Sequence, residues 1–357
     1  GSWTLYAEVK IKGHTIRMDR YLNVMVDNLS VSVPHRGIAG LDIHMYRGTG
    51  IRLRTSYGLA VTMDTKGRVT VRLPVIYSGH VEGVCGNYNH VYYDDYTTSD
   101  GSYVGDDKTA RASLVGNSWK QPDPTDPGCF EPYEDEVPDT SSLTSTMMRT
   151  HAHCDLLFNT TMADNPFSPC LARLGNLSLH YLEACVYSAA SAGHKGLLAQ
   201  DRAPPTCGVL AAFAEECRFT AGVPVMDWRW KTGCGLECPA GLEASAQVPA
   251  SPPSCVHPAS TGYEELLGEG CTCPPGHTLD RTHCTPSTQC GCTLHGHYYP
   301  LDSEWLSHEC GTINQCIYGD QGVPVVITKL YQCPGHSECK ADNGKLTCQF
   351  ECTCKNG

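Results

Sequence analysis

No stretch of this chain approaches the roughly 18 consecutive apolar residues that a membrane-spanning helix requires. The opening, GSWTLYAEVK, lacks the charged-then-apolar pattern of a secretory leader. Basic residues are in deficit: 26 Lys and Arg stand against 38 Asp and Glu, a formal net charge of -12. That balance disfavours nucleic acid and anionic membrane surfaces as partners. Catalytic signatures are missing as well. The chain has no G-x-S-x-G, no glycine-rich phosphate loop and no H-E-x-x-H, so a hydrolase or nucleotide enzyme finds no support. It also has no C-x2-C pair, the spacing that zinc modules favour. Up to residue 150 cysteine itself is scarce, with only Cys85 and Cys129. The region before Cys85 must therefore close an apolar core without bridges.

The remaining 20 of the 22 cysteines follow residue 150. Their close pairs include C-x-C (Cys271 and Cys273, Cys290 and Cys292, Cys352 and Cys354) and C-x3-C (Cys234 and Cys238). Thiols at this density, without zinc spacing, point to disulfides formed in an oxidising compartment. Three N-x-S/T sequons, at Asn28, Asn159 and Asn176, agree with a secreted or extracellular glycoprotein.

Residues 3–82 read as short antiparallel strands. WTLYAEVKI, IRLRT, LAVTM and VTVRLPVIY are the clearest, and Asp64-Thr65-Lys66-Gly67 makes a tight turn. Strands at this spacing predict an antiparallel all-β sandwich. Ile51, Leu53, Val61, Met63, Val69, Val71 and Leu73 are its expected core. Residues 131–149 are acidic and punctuated by proline, and read as a linker. Between 150 and 237 the period turns helical. LSLHYLEACVY places Leu179, Leu182 and Val186 on one face with Cys185; TCGVLAAFAEEC places Leu210, Phe213, Ala214 and Cys217 on another. A small helical domain pinned by bridges follows from cysteines on buried stripes. Beyond Cys238, EASAQVPASPPS reads as loop, and only PVVITKLYQ (324–332) reads as strand. Disulfide-rich modules with little regular secondary structure are expected there.

One turn stands out. GVCGNYNHVYYDDY, residues 83–96, brings Asn87, Asn89, Asp94 and Asp95 within nine residues, with the Tyr92 carbonyl as a further donor. Hard oxygens of this kind suit Ca2+, which takes six to eight of them at loose geometry. An Asx-rich turn that caps its own backbone explains the same residues equally well. The other candidates are blander. His295, His297 and His308, like His151 and His153, lack an acidic third ligand and read as exposed histidines. Trp228 and Trp230, in MDWRWKTGC, read as filling beside a disulfide rather than as a partner's anchor.

The segment YGLAVTMDTKGRVTVRLPVIYSGHVEGVCGNYNHVYYDDY, followed by VGNSWKQPDPTDPGC, resembles the second half of a von Willebrand factor type D domain. FSPC, YLEACVY, TCGVLAAFAEEC and WRWKTGCGLECP resemble the eight-cysteine module that follows such domains. GCTCPPGHTLDRTHCTPSTQCGC resembles a trypsin-inhibitor-like module, and GHYYPLDSEWLSHEC the small module that completes the assembly. The resemblance implies five parts: residues 1–130 type D (C-terminal part), 131–149 linker, 150–237 eight-cysteine module, 238–292 trypsin-inhibitor-like, and 293–357 cysteine-rich terminal module.

The same resemblance implies a calcium site in the turn, completed by an aspartate of the domain's front half. It implies that Cys85 and Cys129 bond to front-half cysteines, since the G-D-P-H-Y-x-T-F-D-G opening of the family is absent here. It implies a non-enzymatic adhesion or assembly protein like those of the zonadhesin, IgG-Fc-binding-protein, tectorin and gel-forming-mucin group. Partners would be other copies of itself or other extracellular glycoproteins. The alternative is a ligand-binding or protease-inhibitory secreted module acting through the trypsin-inhibitor-like loop. Three departures narrow this. Glu82 replaces the first cysteine of C-G-L-C-G, and Ala190 stands where relatives often have an eighth module cysteine. The insert SAGHKGLLAQDRAPP lacks the cysteines that link multimerised relatives. If Cys234 and Cys238 both belong to the eight-cysteine module, it holds seven.

Overall fold

A computed structural model describes residues 4–105, 114–121, 153–162, 164–194, 205–257, 267–295, 297–307, 309–320, 323–335, 337–342 and 345–350. Cys129, the acidic linker, His151, His308, Cys352 and Cys354 lie outside the described residues. The chain divides into two compact units, one of residues 1–73 and 236–357, the other of residues 74–235.

The first unit begins with two four-stranded antiparallel sheets. Sheet one runs β1 (Tyr6–Ile11), β2 (His14–Asp19), β3 (Val24–Val26), β4 (Leu29–Val31). Sheet two runs β5 (Leu41–Tyr46), β6 (Gly50–Thr55), β7 (Ala60–Asp64), β8 (Val69–Arg72). Each strand follows its neighbour through a tight turn, so sequence order and spatial order coincide. The Asp64–Gly67 turn forms as the sequence predicts: the Gly67 amide donates to the Asp64 carbonyl at 3.0 Å, at φ +79°. Ile16, Met18 and Val24 of sheet one share a single apolar cluster with Ile43, Ile51, Leu53 and Met63 of sheet two.

Two rows cross sheet two. Met45, Ile51, Met63 and Val69 form one; Ile43, Leu53, Val61 and Val71 form the other. The first three members of each row are buried, but Val69 is 39% and Val71 57% exposed. The expected core therefore loses those two, and Leu73 is only half-buried. Alternation places them on the core-facing side, where both keep a large part of their surface in solvent. The strand also ends earlier than VTVRLPVIY suggests. Pro74 supplies no amide for a ladder, and Val75–Tyr77 form a 3-10 turn instead.

After Leu236 the chain returns to the same cluster through Leu242, Cys271 and Leu279. Short strands follow: β9 (Glu243–Val248) with β10 (Gly268–Thr272), β11 (His277–Asp280) with β12 (His283–Pro286), and β13 (Cys292–Leu294) with β14 (His297–Tyr299). Then come β15 (Glu304–Leu306), β16 (Thr312–Tyr318) and β17 (Pro324–Leu330) as one sheet, and the hairpin β18 (Ser337–Asp342), β19 (Lys345–Phe350). EASAQV, read as loop, is thus a strand. Its partner is β10, held by Cys238–Cys271. Bridges Cys255–Cys290, Cys273–Cys284, Cys292–Cys316, Cys310–Cys339 and Cys333–Cys348 tie the remaining pieces together.

In the second unit, α1 (Ser168–Leu174), α2 (Ser178–His194), α3 (Cys207–Phe219) and α4 (Trp228–Thr232) enclose a core of Phe167, Leu210, Phe213 and Trp228. Cys154–Cys185, Cys170–Cys217 and Cys207–Cys234 cross it. The α3 stripe of Leu210, Phe213, Ala214 and Cys217 is buried as its spacing predicts. On α2 the buried line is Ser178, Cys185 and Ala189, flanked by half-buried Tyr181 and Leu182; Leu179 points to solvent, against expectation. Because Cys238 bonds to Cys271, this helical module holds six of its own cysteines, not seven.

Candidate functional site: the Asn87–Asp95 turn

Two glycines and two asparagines shape this turn. The Gly79 amide donates to the Asn87 carbonyl at 3.1 Å, and the Ser78 hydroxyl donates to the Tyr88 carbonyl at 2.7 Å, closing the loop's neck. Tyr88 and His90 alternate with the asparagines and take positive φ, +61° and +66°. Strain of this kind persists only where surrounding bonds over-determine it. Asn87 Oδ1 accepts the Asn89 amide at 3.1 Å, and Asn89 Oδ1 accepts the Val91 amide at 2.7 Å. These are two consecutive Asx turns.

The aspartates sit on a 3-10 turn, Tyr92–Asp95, folded back over the loop. Both asparagine amides donate to Asp94 Oδ2, from Asn87 at 3.2 Å and from Asn89 at 2.6 Å. Asp95 Oδ1 accepts the Asn87 amide at 3.3 Å. A Cβ added at Gly86, whose φ is +83°, would fall 2.0 Å from Asp95 Oδ1. Only glycine lets that carboxylate reach the loop backbone. The structure thus brings together all four residues singled out from the sequence, with Tyr92 opening the 3-10 turn.

One atom is left over. Asp94 Oδ1 is buried without a hydrogen-bond partner among the described residues. A carboxylate oxygen stripped of water and left unpaired is costly. A divalent cation of hard-oxygen preference relieves that cost. The asparagine carbonyls each hold one backbone amide and retain a second lone pair. The donor set fits calcium, then, with the carboxylates as principal donors and the asparagines first of all as builders of the loop. Cys85, two residues before Asn87, carries a free, exposed thiol among the described residues.

The three sequons differ. Asn28 occupies the exposed tip of the β3–β4 hairpin at φ +66°. Asn159 Oδ1 accepts from its own sequon's Thr161 hydroxyl at 2.9 Å. Asn176 is exposed, but its Ser178 hydroxyl is buried and donates to the Gly175 carbonyl at 3.0 Å. Of the histidines, His295 is exposed as expected. His297 is half-buried against His35, a relation the sequence pattern did not disclose. Cys310, Cys333 and Cys348 bring their sulfurs within 4.8 Å of one another, but all three are in disulfides and none is a thiolate ligand. No helix among the described residues is long and apolar enough to cross a membrane.

Antiparallel sheets, a carboxylate turn and a helical module crossed by three bridges define a disulfide-stapled chain of several modules. More particularly, the chain carries a von Willebrand factor type D domain, matched over residues 2–102, followed by a C8 domain, matched over residues 153–235. It is similar to human IgGFc-binding protein, 28% identical over 97% of this chain and 6% of that protein. It is similar to human alpha-tectorin, 27% identical over 97% of this chain and 15% of that protein. Mouse zonadhesin is 30% identical over 85% of this chain and 5% of its own length. The chain therefore spans a small fraction of the relatives it matches.

Proposed function

We propose that this chain is a non-enzymatic structural segment of an extracellular adhesive or matrix glycoprotein, stiffened by calcium and by disulfides. The observation that carries the reading is the order of parts, a type D match followed by a C8 match, in a chain that aligns along nearly its whole length with proteins of this kind. Nine disulfides among the described residues support an oxidising, extracellular location.

In this reading Asp94 and Asp95 hold Ca2+, with Asn87, Asn89 and the Tyr92 carbonyl completing the loop's donors. The cation supplies charge neutralisation and rigidity, not chemistry. The residues themselves fix the loop: Asn87 and Asn89 aim Asp94, and Gly86 admits Asp95. Cys85 and Cys129 pair with cysteines outside the described residues, and the uncovered Val69 and Val71 receive a further strand. Asn28, Asn159 and Asn176 carry glycans, with Asn28 the most accessible. Partners are other copies or other extracellular glycoproteins. A protease-inhibitory role for residues 238–292 is the weaker reading, because β10 is largely buried and its Cys271 amide is engaged by the Arg47 carbonyl of the β5–β6 turn.

Light scattering of the secreted full-length protein with and without calcium tests the assembly role. Calcium-dependent self-association or binding to a matrix glycoprotein is expected. A strict monomer without partners in both conditions, or nanomolar inhibition of trypsin or elastase, overturns it.

A further inference from the structure

Within the first unit, the β13–β14 hairpin lies against the loop that leads into β5. His35 belongs to that loop and is fixed there: its amide donates to the Ile43 carbonyl at 2.7 Å and its carbonyl accepts the Ile43 amide at 3.0 Å. Its side chain is buried, with 4% of the residue exposed. What lies beside it is the ring of His297, the first residue of β14, with centroids 5.0 Å apart and planes at 49°. The fit is tight. A Cβ added at Gly37 would come within 2.8 Å of His297 Cε1 and 3.0 Å of His35 Cε1. Two imidazoles are thus packed on one glycine where two chain segments meet.

We propose that His35 and His297 form an acid-sensitive latch, which docks the β13–β14 hairpin against the loop before β5 when neutral and releases it when protonated.

The surrounding charges favour this. Burial, and secondly the charge of His297, push His35 down to about 4. Burial, and secondly the charge of His295, push His297 down. The carboxylate nearest to His35 in the chain, Asp42, is committed elsewhere: its Oδ1 accepts from Arg36 Nε at 2.9 Å and its Oδ2 lies 3.2 Å from His44 Nδ1. His257 faces that same group of Arg36, Asp42 and His44. The charges that bear on the pair are therefore cationic. A histidine whose folded value lies below its free value of 6.5 binds its proton preferentially in the open form. Docking is then fully present above that free value and weakens as pH falls from about 6.5 towards 4.

Release is local. Cys292–Cys316 still ties β13 to β16, and the Tyr299 ring stacks on Trp305 at 3.5 Å, so the hairpin swings without unravelling its module. The carboxylate turn belongs to the other unit.

Hydrogen exchange of the whole chain at constant calcium tests it, with protection of residues 292–299 corrected for intrinsic rates. If released His35 regains its free value, opening rises about thirtyfold between pH 7.5 and 5. The doubly substituted protein, His35→Gln with His297→Gln, should lose that dependence. Gly37→Ala should open the hairpin at neutral pH, because His297 must move to make room. Equal protection at pH 7.5 and 5 in the unmodified protein overturns the proposal, as does an unchanged pH dependence in the double variant. Where that variant fails to fold, NMR titration of His35 in the unmodified protein decides: an ordinary histidine value overturns the latch, and a strongly depressed one upholds it.

Discussion

The Arg47 carbonyl accepts the Cys271 amide at 2.8 Å, and the Arg47 amide donates to the Ala250 carbonyl at 3.0 Å. Residues far apart in the chain thus exchange backbone bonds, and the β5–β6 turn becomes a socket for β9 and β10. The side chain of Arg47 is buried near the Tyr46 ring, whose other neighbour is the guanidinium of Arg52 at 3.5 Å. Lys66 and Glu237 form a further ion pair between the sheets and this returning segment. Such a surface ion pair adds little to stability, so the socket depends chiefly on close backbone approach.

That approach predicts an asymmetry between two glycines. Gly48 has φ +68°, and a Cβ there would lie 2.0 Å from the Cys271 carbonyl oxygen. Gly276 has φ +80° with open space around it. Gly276→Ala should cost only the left-handed backbone penalty, about 1 kcal/mol. Gly48→Ala should cost about 2–4 kcal/mol, because the crowded atom is backbone and cannot rotate away. Amide exchange of β9 and β10 measures both. Equal effects would show that the socket is loose.

For the carboxylate turn, Asp94→Ala combined with Asp95→Ala should abolish the calcium-dependent rise in melting temperature. In the unmodified protein that rise should correspond to about 2.7 kcal/mol at calcium a hundredfold above Kd. In EDTA the double variant should also lose about 1 kcal/mol or more, since the Asn87 and Asn89 amides lose their acceptor. The calcium increment, not the absolute melting temperature, is therefore the readout. Gly86→Ala should reduce the same increment by displacing Asp95. Persistence of the full increment in the double variant removes the site.

How far the sequence disclosed these features depended on the range of the forces involved. The α3 stripe and the strands β6 and β7 declare themselves because their periodicity is local. Val69 and Val71 alternate as core residues do, yet alternation reports only which side a residue faces, not whether anything covers it. EASAQV alternates only through two alanines and Val248, a weak strand signal because alanine is depleted in strands, and it is a strand because β10 and the Cys238–Cys271 bridge make it one. Leu179 misleads because it sits in the first turn of α2, where Ser178 rather than a leucine begins the buried line. In the turn, residue types and spacing sufficed to find Asn87, Asn89, Asp94 and Asp95. They could not show that the asparagine carbonyls hold backbone amides or that Asp94 Oδ1 is stranded. His297 drew a surface reading because the ring that buries it, His35, is remote in sequence.

Asp280 offers a pH test of opposite sign to the histidine pair. Burial raises its carboxyl above the ordinary value, although Arg281 nearby and a hydrogen bond from Tyr298 pull the other way. Tyr298 is itself pushed up to about 12, chiefly by burial, and its oxygen accepts the Gly291 amide at 2.6 Å. A raised folded value means that Asp280 favours the fold fully below its free value of 3.8, and that this contribution is lost as pH rises through the folded value. Asp280→Asn keeps an acceptor for Tyr298 and removes the charge. It should therefore stabilise β11 and β12 at pH 7, with the gain vanishing below about pH 3.8. Urea unfolding across that range measures it. A gain that grows on acidification would contradict the assignment.

Two tryptophans separated by one residue should respond in opposite ways. Trp228 is fully buried, its ring 6.0 Å from Phe167 and 4.3 Å from the Arg229 guanidinium, in the core crossed by Cys170–Cys217 and Cys207–Cys234. Trp230, on the opposite side of α4, is 76% exposed. The packing role expected of both thus belongs to Trp228 alone. Trp228→Ala should cost about 3–5 kcal/mol and loosen the whole helical module, as removal of a large buried aromatic does. Trp230→Ala should change stability by no more than about 0.5 kcal/mol, as exposed substitutions usually do. Denaturant unfolding followed by tryptophan fluorescence separates the two. If Trp230→Ala leaves stability intact, as expected, but also abolishes binding to a matrix glycoprotein or to a second copy, the exposed ring is a partner's anchor. If it destabilises as Trp228→Ala does, the exposed position of Trp230 is wrong.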